Sequence, residues 1–333
     1  MTDTIPTGAA TWTDPAWRAA HLAWVEAELA RIDRRVTGTV DQAHLTPWST
    51  AFRIPTDRGV AWSKATGPGP AYEGPLLAGL TAHRVDHVLY PLAADHARAW
   101  LLFEDGGPTL RSLRPDGTGD HDLAGWERVL RGYAGIQRAV ERWATDLLTV
   151  GVPDTRPGRV AALLAGLLDD ERIWARAGAA AGRRRLRARR AMVEAAGTDL
   201  AAAGIPATVD HGDLHGWNVL IGLGGFRIFD WGDATVAHPF QTLGTTLPSI
   251  ARQTGLPVTA PGLVRLRDSY LEAWTDVLPL QVLADVADRA IRLAPIAKAA
   301  AWERALAGLA PEAMAGFEAA TADTLRGLSP RAS

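Results

Sequence analysis

The chain has no cysteine, which removes a disulfide framework and thiol redox chemistry from consideration. It has no apolar run approaching the ~18–20 residues that cross a bilayer. The first residues, Met1-Thr2-Asp3-Thr4-Ile5-Pro6, lack the basic and apolar regions of a signal peptide, so a soluble cytoplasmic protein is expected. Neither sign of charge dominates, and a net charge of −2 argues against a general nucleic-acid binder. There is no internal repeat and no long linker. Lysine is scarce as well: among 35 lysines and arginines, only Lys64 and Lys298 are lysines. Alanine, glycine and arginine abound, as a coding bias toward G and C would produce. Against that background a lysine marks a place where a compact ammonium does not interchange with a broad guanidinium, as where a phosphate is touched in a tight space. Lys64 is the one to follow.

What is present is concentrated in one stretch. Val209-Asp210-His211-Gly212-Asp213-Leu214-His215-Gly216-Trp217-Asn218 leads into two short apolar strands, Val219 to Ile221 and Phe226 to Phe229. The turn Gly222-Leu223-Gly224-Gly225 joins them as a hairpin. Asp213 and Asn218 precede the first strand, and Asp230 closes the second. The hairpin therefore brings three oxygen-bearing side chains to one end of a small sheet. A hard cation such as Mg²⁺ takes oxygen ligands from one or two carboxylates and from substrate phosphates. Asn218 and Asp230 supply such oxygens, and Asp213 is left to take a proton from an attacking hydroxyl. A catalytic Asp followed after four residues by a metal-binding Asn is the arrangement of kinase-type phosphoryl transfer. Asp230-Trp231-Gly232 stands where a protein kinase has Asp-Phe-Gly.

Other readings fit single residues. An Asp or Asn in a turn often bonds its own backbone, which explains any one of the three but not their joint spacing. His211, Asp213 and His215 also read as a zinc cluster of a hydrolase, although no cysteine assists. His211 is expected instead to brace the loop.

His211-Gly212-Asp213-Leu214-His215-x-x-Asn218, followed by a strand and Asp230-Trp231-Gly232-Asp233, resembles the aminoglycoside phosphotransferase family, one of the choline-kinase-like small-molecule kinases. The resemblance implies an α+β, protein-kinase-like two-lobed fold. Its N-terminal lobe, 1–104, would carry a five-stranded antiparallel sheet and bind nucleotide. Its larger, mostly helical C-terminal lobe, 105–333, would hold the catalytic loop and the substrate site. It also implies ATP and Mg²⁺ as cofactors and a small-molecule hydroxyl as acceptor, with no nucleic acid, membrane or obligate protein partner.

Taken in order, Asp14 to Arg35 reads as a helix capped by Asp14, with Pro15 in its first turn and a lead-in role on the N-terminal lobe. Val36 to Leu45 and Thr50 to Ile54 read as strands. The turn between them would lie over the nucleotide phosphates, with Ser49 and Thr50 as donors, although it lacks the glycines of a protein-kinase loop. Val60 to Ala65 reads as the third strand and carries Lys64, where the kinase pattern places the lysine for the α- and β-phosphates. Tyr72 to His83 reads as a helix. Its Glu73 is the only acidic residue between Lys64 and Asp86, so it is the candidate partner of Lys64. Val88 to Pro91 and Ala99 to Phe103 complete the sheet. The polar hinge that follows, with Glu104 and Asp105, is where the resemblance places backbone contacts to adenine.

The remainder reads as helices over Leu123–Leu148, Arg159–Leu168, Asp169 to about Ala196, Pro261–Leu278, Leu280–Arg292, Pro295–Ala307 and Pro311–Leu325. Six arginines lie between Arg183 and Arg190, but helical spacing spreads them around the axis, as on a solvated face. No Ala-Pro-Glu segment follows Asp233 closely; Ala310-Pro311-Glu312 is too distant to serve, which favours a small-molecule acceptor over a protein. Asp233, Asp268, Glu272 and Asp276 are candidates for an acidic wall facing a cationic acceptor. A nucleotide-binding scaffold without turnover is the other reading of the same residues.

Overall fold

The structure, a computed structural model, describes residues 5–113 and 123–328. Met1 to Thr4, read above for a leader, lie outside it.

Ala9–Thr13 (α1) leads into Pro15–Ala30 (α2). Asp14 accepts from the Trp17 amide and Pro15 opens the helix, so the predicted cap and start are both present. Five strands follow: Asp41–Leu45 (β1), Ser49–Thr56 (β2), Gly59–Thr66 (β3), Pro91–Asp95 (β4) and Trp100–Glu104 (β5). Glu73–Ala82 (α3) crosses between β3 and β4. The sheet runs β1-β2-β3-β5-β4, and every neighbouring pair is antiparallel. α2 packs on one face through Val25 and Leu29, which meet Phe52, Ile54, Ala61 and Leu102 in a dry cluster. Fully burying each valine, leucine, isoleucine or phenylalanine of this cluster contributes about 1.5–3 kcal/mol.

The remainder is mostly helical: Leu123–Val140 (α4), Val160–Asp169 (α5), Glu171–Arg176 (α6), Ala180–Arg187 (α7), Arg190–Ala202 (α8), Leu243–Thr254 (α9), Pro261–Leu271 (α10), Leu280–Leu306 (α11) and Ala320–Leu325 (α12). Two small β ladders interrupt it. Val219–Gly222 (β7) pairs with Gly225–Ile228 (β8) as the predicted hairpin. Thr208–Asp210 (β6) pairs with Thr235–Ala237 (β9), so the strands before and after the catalytic stretch are bonded to each other. No helix among the described residues is long and apolar enough to cross a membrane.

Several boundaries differ from expectation. Strand β4 lies at Pro91–Asp95 rather than Val88–Pro91 because His87 and Leu89 bond the backbone of Ile228 in β8. Pro91 is tolerated because β4 is an edge strand. Val36 makes only an isolated bridge to Thr56, so β1 begins at Asp41. The long segment from Asp169 breaks into α6, α7 and α8, with Gly178 in a left-handed conformation at the first break. α4 stops at Val140, and Ala144–Val150 is a 3-10 turn. Conversely, α11 runs unbroken through Pro295, although a helix-interior proline removes one hydrogen bond. Packing outweighs that loss, since twelve residues of α11 are buried. Gly244 of α9 seats so closely on Ala294 that a Cβ there would overlap it.

Two buried imidazoles give the fold an acid limit. His21, bonded to Ser63 and stacked on Trp17, is pushed down to about 3 by burial and by the nearby Arg98. His238 is pushed down to about 3 by burial alone. Both are neutral in the folded chain, whereas in the unfolded chain they take up a proton near pH ~6.5. The unfolded state therefore binds more protons between these values, and stability is expected to fall as pH drops from about 6.5 toward 3. Urea midpoints measured across this window test it, and His238→Gln should flatten the slope.

Candidate active site

Lys64 projects from β3 into a cleft of about 250 Å³ between the sheet and the helical part. Its Nζ donates to Glu73 Oε2 at 2.6 Å and to Asp230 Oδ1 at 2.5 Å. Burial lowers the affinity of the amine for its proton, but Asp230 and Glu73 outweigh this and hold it above the usual lysine range. The other oxygen of Glu73 accepts from the Trp231 amide at 3.0 Å. One buried carboxylate thus links the strand lysine to the Asp230-Trp231-Gly232 turn. Tyr72 adds a second tie, donating to the Gly232 carbonyl at 2.6 Å.

Asp230 sits just past β8 in a left-handed conformation, φ 64° and ψ 62°. Asp tolerates this region better than most residues, and such strain concentrates at functional positions. The fully buried Trp231 anchors the turn, and its indole donates to the Ile228 carbonyl. Asn218 lies across the hairpin, where its carbonyl accepts from the Phe229 amide. Its Nδ2 donates to the Asp213 carbonyl at 3.0 Å, and its Oδ1 takes no hydrogen bond from a described residue. The second oxygen of Asp230 is also free of a described donor. Two oxygens are thus left at the hairpin end, the donor chemistry that a hard cation prefers.

Asp213 lies on the loop between β6 and β7. Its Oδ2 is 3.2 Å from His215 Nε2, and its Oδ1 accepts from Lys298 Nζ at 2.9 Å. Burial raises the carboxyl, but His215 and Lys298 outweigh it and hold Asp213 well below the usual carboxylate range. Lys298 also donates to Asp233 Oδ2 at 2.6 Å. His211 braces the loop as expected: its Nε2 bonds the Phe229 carbonyl and its Nδ1 accepts from the Asp213 amide. No group of three or more His, Asp or Glu suited to a metal ion occurs among the described residues.

Beneath the loop a buried polar network fixes its entry. Asp210 accepts from Gln241 at 2.8 Å, while Tyr133 donates to Asp210 and receives the His211 amide. Burial raises Asp210 to about 6 despite these donors. Gly212 adopts φ +75°, and a Cβ there would overlap the Asp233 carbonyl. Gly212→Ala is therefore expected to destabilise by about 1–3 kcal/mol from backbone strain alone, read as a lower urea midpoint.

The structure brings Lys64, Glu73, Asp213, Asn218 and Asp230 together. Ser49 lines the cleft, whereas Thr50 is fully buried, donating to the His44 carbonyl and accepting from Gln42. The side chains of Glu104 and Asp105 do not line it: Glu104 pairs with Arg34, and Asp105 caps Gly107. Of the proposed acidic wall only Asp233 faces the cleft. Asp268, Glu272 and Asp276 pair with Arg267, Arg131 and Arg138 instead. The arginine run is largely exposed, as expected. Residues missed by sequence reasoning are Lys298, whose rarity was the available signal, and the cleft-lining His44, Trp48, Trp302 and Arg304.

This lysine–glutamate pair and aspartate-bearing hairpin are set under a five-stranded sheet, and solved kinases and phosphotransferases share the fold. The chain matches an ethanolamine kinase of Plasmodium vivax at 10% identity and TM-score 0.61, over 96% of this chain and 90% of that one. It matches an aminoglycoside 2'-phosphotransferase-IIIa, solved as a GDP complex, at 11% identity and TM-score 0.57, over 92% and 96%. It matches a macrolide 2'-phosphotransferase type I at 16% identity and TM-score 0.55, over 96% and 99%. No curated protein sequence matches significantly. A sequence profile of the phosphotransferase enzyme family covers residues 73–280. The chain belongs to that family and is a small-molecule phosphotransferase.

Proposed function

We propose that this protein transfers the γ-phosphoryl group of ATP to a hydroxyl of a small molecule. Candidate acceptor classes are aminoglycoside-like compounds, amino sugars, sugars and amino alcohols. The observation that carries this reading is the convergence of Asp213, the Lys64–Glu73 pair and Asp230 on one cleft, each from the position its motif assigns. In this reading residues 1–104 hold the nucleotide, and 105–333 supply the catalytic loop and the acceptor site.

Lys64 binds the α- and β-phosphates, and Glu73 keeps it aimed. Ser49, in the turn above, offers its hydroxyl to the phosphates; its amide is held by Thr46 Oγ1 and Thr50 is buried in the sheet, so Thr50 supports the turn and does not touch the nucleotide. The backbone around Glu104 and Asp105 meets the adenine. The free oxygens of Asn218 and Asp230 suit Mg²⁺, which when bound would neutralise phosphate charge. Asp213 accepts a hydrogen bond from the acceptor hydroxyl and fixes its line of approach. The acceptor oxygen forms the new bond to phosphorus, the bond to the bridging oxygen of ADP breaks, and the hydroxyl proton passes to Asp213 late. A carboxylate held so far below its usual range is a weak base. Positioning and charge neutralisation therefore carry most of the acceleration.

The experiment is ADP release from Mg·ATP with a panel of aminoglycosides, amino sugars, hexoses, choline, ethanolamine and hydroxylated peptide antibiotics, beside water alone. Release with one compound class is the expected result. ATP that raises the melting temperature without any release would favour a nucleotide-binding scaffold.

A further inference from the structure

We propose that Lys298 is a positioning residue for phosphoryl transfer: anchored on Asp233, it holds the Asp213 carboxylate aimed at the acceptor hydroxyl. The inference rests on the phosphotransfer reading above and assigns a part to a residue outside both sequence motifs.

Three observations carry it. First, the two lysines of this arginine-rich chain occupy equivalent settings. Lys64 bridges Glu73 and Asp230; Lys298 bridges Asp213 and Asp233; both pairs open on the same cleft. A point charge at under 3 Å from two carboxylates is a task a planar guanidinium performs poorly in a tight space.

Second, the position of Asp213 depends on side chains. Among the described residues only Lys298 and His215 contact its carboxylate oxygens, one on each. No described backbone N–H does so. An ionised carboxylate offers about four acceptor sites, so both oxygens keep capacity for the acceptor O–H after these contacts. The plane of the carboxylate is set while its function stays available.

Third, the fold is built to deliver this ammonium. Gly212 packs against the Asp233 carbonyl, which brings the Asp213 and Asp233 segments together and would set their charges against each other. α11 approaches this crossing with small residues, Ala294, Ala297 and Ala301, lining the narrow space beside Asp210 and Gly212. Lys298 lies beside these alanines, 25% exposed, with its amine between the two carboxylates, while Arg304 lines the cleft further along α11. Lys298 stays protonated and passes no proton; its role is geometric.

The test compares wild type, Lys298→Ala, Lys298→Met and Lys298→Arg with Mg·ATP and the acceptor found in the panel. Lys298→Met keeps most of the apolar stem, so it stands in if the alanine variant fails to fold. Misplacing a reacting group by an ångström can cost ~10²-fold, and kcat should fall by about that factor in the alanine and methionine variants. KM for ATP should hardly change, because Lys64 and Asp230 are untouched. Added ethylamine or propylamine should restore part of the lost kcat in Lys298→Ala by refilling the gap between Asp213 and Asp233. Lys298→Arg should fall short of wild type. Wild-type kcat in the alanine or methionine variant would overturn the inference. So would a lost rate with KM raised in proportion and no rescue by amine, the pattern of a structural strut. A wild-type enzyme inert toward every acceptor and toward water would instead contradict the phosphotransfer reading itself.

Discussion

Replacing Asp213 with alanine is expected to lower turnover by about 10²–10⁴-fold while leaving Mg·ATP affinity close to wild type. The split follows from the layout of the cleft. Asp213 contacts His215 and Lys298, whereas the groups assigned to the phosphates gather around Lys64. Removing the Asp213 carboxylate deprives the acceptor hydroxyl of its guide and its proton of a destination, but leaves the Lys64–Glu73–Asp230 contacts in place. Steady-state kinetics and ATP-dependent melting, measured on the same preparation, give both quantities. A variant that keeps more than about a tenth of its rate would remove Asp213 from the chemistry.

Lys64 should behave differently. Lys64→Ala and Lys64→Arg are both expected to lose about 10²–10³-fold in kcat, the usual loss for a preorganised charge contact in a water-poor site. Both should also raise KM for ATP, because the contact is made to bound nucleotide as well as in the transition state. The arginine variant is the informative one. Lys64 Nζ sits 2.6 Å from Glu73 and 2.5 Å from Asp230, and a guanidinium cannot take that point without displacing one of them. Glu73 also accepts the Trp231 amide, so its displacement would loosen the Asp230 turn. An arginine variant with wild-type KM and kcat would show that charge alone suffices there and that the bridging geometry carries no function.

What could be read from the sequence was local. The Asp213–Asn218 spacing and Asp230 flank one hairpin closed by the glycine turn, so the pattern carries its own geometry. The Lys64–Glu73 pair spans nine residues, and composition left a single acidic candidate. Lys298 was different. It meets Asp213 across 85 residues, with no spacing rule to connect them. The helix that delivers it was also expected to break at Pro295, and packing of its buried alanines and leucines overrides that preference. The acidic wall failed for a related reason. Asp268, Glu272 and Asp276 satisfy themselves with arginines, and sequence alone does not say which face of a helix looks into a cleft. The Tyr133–Asp210–Gln241 network beneath the loop likewise joins three distant segments.

In the proposed reaction a phosphoryl group leaves ATP for a hydroxyl under the direction of Asp213. Its most direct measurement is mass spectrometry of the acceptor after incubation with Mg·ATP labelled with ¹⁸O on its non-bridging γ-oxygens, for wild type and Asp213→Ala. The wild-type reaction should yield an acceptor heavier by one labelled phosphoryl group, and the variant should leave the acceptor unmodified. Equal labelled product from both enzymes, or ATP consumed with all label in inorganic phosphate and none in any acceptor, would contradict it.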